Sequence, residues 1–128
     1  MTDDPLTGGN GTRGDAERGA GTLLMAGLAL LALVLIASVA LLLQAASAAS
    51  QAATAADLSA LAAADAVRGL TAGSPCDVAQ EVAERHRAHI RECLIGETGP
   101  GTALIRVVVP VPGIIPDAQG AARAGPPP

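Results

Sequence analysis

The stretch LLMAGLALLALVLIASVALLL, residues 23–43, carries no charged side chain, and its only hydroxyl is Ser38. As an α-helix rising about 1.5 Å per residue it runs roughly 30 Å, the thickness of a bilayer's hydrocarbon core. A helix satisfies its own backbone polar groups, so one such run is enough to span lipid. The uncharged region is longer still, from Gly19 to Ala56. The chain reads as membrane-inserted, with a transmembrane segment bounded by Leu23 and Leu43.

Outside that segment and its polar flanks, roughly seventy of the 128 residues are left to fold in water. A unit of that size gains only marginal stability from its core, and a covalent staple helps. There is no Phe, Tyr or Trp, so no large ring anchors the core. The missing rings also remove the usual interfacial belt. Every positive charge is an arginine. A net charge of −4 with a pI near 4.9 argues against a nucleic-acid partner, which would call for a basic stripe. The water-soluble part is too small and too Ala-rich to shape a deep pocket, so neither a small-molecule substrate, a cofactor nor an enzyme activity is expected.

Arg13 and Arg18 precede the apolar run, and the next cation is Arg68. The positive-inside rule therefore puts the N-terminus in the cytoplasm and the C-terminal part outside the cell membrane. Three fates are open. The segment can persist as a signal anchor. Signal peptidase can release the rest near Ala48, because Ala46-Ser47-Ala48 forms an A-x-A site. A prepilin-type peptidase can cut after a glycine on the cytoplasmic side. The run exceeds an ordinary signal h-region, which favours retention. Arg13-Gly14-Asp15 spells an adhesion tripeptide but reads as part of a solvated tail.

The expected organisation is a disordered cytoplasmic tail over 1–18 and a transmembrane helix over 19–43. An extracytoplasmic helix extension follows over 44–68, then a small α+β head over 69–112 and a disordered tail over 113–128. The extension has no Gly or Pro before Gly69, a plausible C′ stop. Gln44, Ser47, Gln51 and Thr54 form a polar stripe opposite alanines, and that Ala-rich face suits close packing against partner helices. Ser74-Pro75-Cys76-Asp77 reads as a helix start, with serine as N-cap, proline at N1 and an acid in the first turn. This helix is predicted over 75–87, burying Val78, Ala79, Val82 and Ala83. Two apolar runs, 89–95 and 103–109, flank a Gly/Pro-rich turn and predict a β-hairpin. In the second strand Ile105, Val107 and Val109 share one face, and Pro110 and Pro112 end it.

Cys76 and Cys93 are the only cysteines. In an oxidising compartment they read most simply as a disulfide closing a short loop, worth about 3 kcal/mol. His86 and His89 lie between them, so a Cys2His2 zinc site is an alternative, although the spacing fits no common zinc pattern. A nucleophilic Cys–His pair is a further alternative that lacks an orienting third group.

The segments RGAGTLLMAG (18–27) and AADLSALAAA (55–64), with GSPC (73–76), RECLI (91–95) and VVVPVPG (107–113), resemble TadE/TadG-like pilus-assembly proteins. Together they resemble the short actinobacterial-type TadE-like proteins found beside helicase and secretion genes. The resemblance implies a pseudopilin-like, single-pass membrane component of a Tad/Flp-type pilus or secretion system. It implies membrane lipid and other Tad-like proteins as partners. It also implies possible processing between Gly19 and Ala20. Processed pseudopilins carry a glutamate five residues after the cut. Leu24 stands there in this chain, which fits an unprocessed minor component. The expected fold is a membrane-anchored α+β chain: a long N-terminal helix running into an amphipathic helix, then a short helix and a β-hairpin. The alternative is a small cell-envelope protein secreted after cleavage near Ala48.

Overall fold

The computed structural model describes residues 11–127, with side chains from residue 16 onward. It falls into two compact units, Met1–Ala40 and Leu41–Pro128. Helix α1, Gly11–Val67, begins in the first and ends in the second.

In the first unit the described residues are all helical. The tail expected over 1–18 is corrected for its second half, because α1 is already formed at Gly11; residues 1–10 lie outside the described residues. Helix growth past an established nucleus adds one hydrogen bond per residue fixed, and no proline stops it between Gly11 and Arg18. The helix is long and apolar enough to cross a membrane, and the rest of the chain covers none of its most apolar window. Leu23 and Leu33 are exposed. The hydroxyls of Thr22 and Ser38 donate to the carbonyls of Arg18 and Val34, at 2.9 and 2.8 Å. Neither polar group therefore needs water.

The second unit is built on alanines. Along α1, Ala48, Ala52, Ala55, Ala56, Ala60, Ala63 and Ala64 are buried at helical spacing. Helix α1 ends in a Schellman motif: Gly69, in the left-handed region (φ 74°), donates to Ala66, and Leu70 donates to Asp65. Helix α2 covers Pro75–Arg85, two residues shorter than predicted. Ser74 occupies the N-cap with extended backbone, but its side chain makes no capping bond. Ala79 and Ala83 are fully buried, while Val78 and Val82 are only half-buried.

Strands β1 (His89–Ile95), β2 (Ala103–Val109) and β3 (Ala118–Ala124) form one antiparallel sheet in the order β1-β2-β3. The first two coincide with the apolar runs in the sequence. The third corrects the expected tail over 113–128. Its sequence, AQGAARA, has no branched residue to announce a strand. It pairs along all of β2, from Ala103↔Ala124 to Val109↔Ala118. Its alternation is carried by small residues: Ala118, Ala122 and Ala124 join the core, while Gln119, Ala121 and Arg123 face out.

A register shift between Ile90 and Glu92 leaves Arg91 as an extra residue in β1. This bulge turns Ile90, Cys93 and Ile95 all toward the core, beside Val107, Ile105 and Ala103. Ile105 and Val107 are the largest fully buried apolar side chains. The small residues on both layers let the sheet approach α1 closely, and Gly120 marks the tightest point. A Cβ built there would collide with the Ala52 carbonyl and lie 3.0 Å from the Ala53 nitrogen. The alanines expected to meet partner helices are thus spent within the chain: Ala52, Ala55 and Ala56 are 0% exposed. Ser59 is buried among them with its hydroxyl unpaired.

Candidate functional site

Cys76 on the first turn of α2 and Cys93 on the core face of β1 form a disulfide, with their Cα atoms 6.0 Å apart. The helix start at Ser74-Pro75 and the β1 bulge together aim the two side chains at each other. Both sulfurs are consumed, which overturns the zinc and the nucleophilic readings of this pair. Among the described residues no group of His, Cys, Asp and Glu is arranged to hold a metal. His86 follows α2 and is half-buried; its backbone carbonyl accepts a 2.6 Å hydrogen bond from Gln51 Nε2. His89 opens β1 and is exposed. The two histidines are therefore separated, His86 half-buried just past the end of α2 and His89 exposed at the start of β1. Gln80 ties this region together, accepting from Ile90 N at 3.3 Å and donating to Glu84 at 2.7 Å.

Gly19 and Ala20, the candidate processing site, lie on exposed helix in the first unit, and Gly19 has open space around it. Leu23 belongs to the first unit and Leu43 to the second; both are exposed. Arg13-Gly14-Asp15 falls within the opening turns of α1.

A groove of about 560 Å³ lies at one end of the sheet in the second unit. Leu43, Gln44 and Ser47 of α1 make one wall, Val109 to Pro112 the other, and Arg87 lines it as its only charged residue. Two features build it. The end of α2 is a second Schellman turn, in which Arg87 donates to Glu84 and Ala88 to Ala83, at 2.9 and 3.0 Å. This motif places its C′ residue in the left-handed region, and Arg87 sits there at φ 56°, the only non-glycine with positive φ among the described residues. The second feature is the β2–β3 loop, residues 110–117. Asp117 Oδ1 accepts a 3.1 Å bond from Val111 N, closing the loop and leaving Ile114 89% exposed.

The opposite end of the sheet is held differently. Arg123 on β3 donates to the Thr98 hydroxyl (2.7 Å) and carbonyl (3.2 Å), clipping the edge strand to the β1–β2 turn. The ion pairs Arg68–Asp65, Arg85–Glu81 and Arg106–Glu92 are solvent-exposed and add little stability.

Sequence reasoning missed the Arg87 turn, because no glycine marks it, and missed the groove, because Pro110 to Pro112 were read only as the end of a strand, with no third strand to turn them into a loop. Pro110, Pro112 and Pro116 were the available signal: they bracket an uncharged VPVPGIIP between two strands. No protein-family model, curated protein or solved structure matches this chain.

Proposed function

We propose that this chain is a single-pass membrane component of a Tad/Flp-type pilus or secretion system, pseudopilin-like but unprocessed. Its N-terminus lies in the cytoplasm and its head outside. The observation that carries this reading is the division of α1. The residues from Leu23 to Leu43 are apolar, uncharged and uncovered, whereas those from Ala48 to Ala64 are buried beneath a disulfide-tied sheet. One half is suited to lipid and to neighbouring helices, the other to carrying a head. A disulfide joining α2 to β1 supports an oxidising location for that head.

Partner helices meet the chain through its uncovered segment, where Gly27, Ala29, Ala32, Ala37 and Ala40 supply small residues. Lipid and other proteins of the machinery are the partners; the role is structural rather than catalytic.

The test is the intact mass of natively expressed protein from membranes and from medium, joined to co-purification with the pilus or secretion apparatus. Full-length protein in membranes, retaining those partners, is the expected result. A chain starting at Ala20 would show prepilin-type processing despite Leu24. A soluble species starting near Ala49 would replace the proposal with the secreted-protein alternative.

A further inference from the structure

We infer that the β2–β3 loop rests on the outer surface of the membrane, with Ile114 entering the headgroup layer and Arg87 meeting phosphate groups of anionic phospholipid. The inference rests on the reading of residues 23–43 as a membrane span.

Position comes first. The groove beside the loop is walled by Leu43 and Gln44, the last residue of the apolar run and the first polar residue after it. Leu41, Leu42 and Leu43 are exposed and belong to the same compact unit as the loop. If the run ends where hydrocarbon ends, Val109 to Pro112 lie at headgroup depth.

The loop's chemistry suits that depth. Residues 110–116 carry no charge, and Ile114 is the most exposed of the large apolar side chains among the described residues. The one acid that follows, Asp117, is engaged by the Val111 amide. Small apolar segments of this kind enter the headgroup boundary without spanning it, and they bind more tightly when basic residues flank them.

Arg87 supplies such a residue. It is exposed on the groove wall and has no carboxylate partner among the described residues. It holds a left-handed position that glycine would fill without strain, so the backbone gives no reason for arginine there. His89 and Arg91 begin the strand at the same end of the sheet, since His89 pairs with Val108. The acids nearby are Glu84, bonded to Gln80, and Asp117. Both of those acids are engaged within the chain, which leaves Arg87 as the one charged side chain lining the groove in a chain that is acidic as a whole.

The missing aromatics make the test direct, because any introduced tryptophan is the sole fluorophore. Full-length Leu33→Trp, Ile114→Trp and Glu97→Trp chains are reconstituted in vesicles of equimolar phosphatidylcholine and phosphatidylglycerol, with acyl-brominated lipid as quencher. Intact mass confirms that the Cys76–Cys93 bond is present in each. Leu33→Trp and Ile114→Trp are expected to be quenched and blue-shifted, and Glu97→Trp, on the turn at the far end of the sheet, to be neither. Adding Arg87→Gln to Ile114→Trp should lower the inserted-to-withdrawn ratio about fivefold, the worth of one basic side chain at an anionic surface. Arg87→Lys should restore most of it. Quenching of Leu33→Trp with an Ile114→Trp signal as weak as that of Glu97→Trp would overturn the loop contact and leave the span standing. An unquenched Leu33→Trp would overturn both. An unchanged ratio in Arg87→Gln would overturn the role of the arginine.

Discussion

Adding a single methyl group at Gly120 should pry the sheet from the helix. In most strands Gly→Ala is stabilising, because it removes up to about 1 kcal/mol of unfolded-state freedom. Here the new carbon meets backbone: the Ala52 carbonyl, and the Ala53 nitrogen at 3.0 Å. Backbone cannot rotate aside, so β3 or α1 must shift, and overpacking of this kind costs about 1–3 kcal/mol. The net expectation for Gly120→Ala is a loss of about 1–2 kcal/mol, with a larger loss for Gly120→Val. Ala121→Val is the control; the neighbouring side chain faces water, and valine favours strands, so stability should stay within about 0.5 kcal/mol. Without aromatic residues, near-ultraviolet signals are blind to this packing, and pulse proteolysis in urea is the better assay. Trypsin sites at Arg91, Arg106 and Arg123 lie in the three strands, so cleavage there reports opening of the sheet. For so small a unit the urea slope is about 1 kcal/mol/M, so the midpoint of full-length Gly120→Ala in detergent should fall by about 1–2 M. A midpoint equal to or above that of the unmodified protein would show that β3 does not lie on Ala52.

Reduction, or paired Cys76→Ser and Cys93→Ser substitution, should lower stability by about 3 kcal/mol in the same assay, and reduction should raise the intact mass by two hydrogens. Arg87→Gly should raise the urea midpoint by about 1 M, relieving about 1 kcal/mol of left-handed strain; a lowered midpoint would mean that the arginine side chain supports the fold. Ser59→Ala should stabilise by about 1 kcal/mol, because it removes a buried hydroxyl that has no partner; calorimetry would check it. Ile105→Ala, at a fully buried position, should cost about 2–5 kcal/mol and leave the head open to trypsin without denaturant.

What could be read from the sequence was what local chemistry writes down. The uncharged run, the Gly69 stop, the Ser74-Pro75 start, the two branched strands and the cysteine pair each carry a signal within a few residues. Strand β3 does not. It exists because β2 offers a complete edge to pair with and because Gly120 lets it press on Ala52, both long-range facts. The Ala-rich face of α1 was legible as a packing surface but not as to whom it packs against, since small residues serve a neighbour in the same chain as well as one in another. The bulge at Arg91 and the left-handed Arg87 leave no mark of composition, and with them went the groove.

The disulfide also has a bearing on when the head folds. Under the cytoplasm-to-outside arrangement, the chain beyond Leu43 must be threaded across the bilayer. During that passage its thiols face a reducing pool, and the head lacks the roughly 3 kcal/mol that loop closure supplies. A core made chiefly of alanines, with Ile105 and Val107 as its largest buried apolar members, holds loosely without that closure. Under that arrangement the bond is missing while a translocation channel needs a slack polypeptide, and oxidation on the far side would act as a ratchet, making the folded head resistant to slipping back.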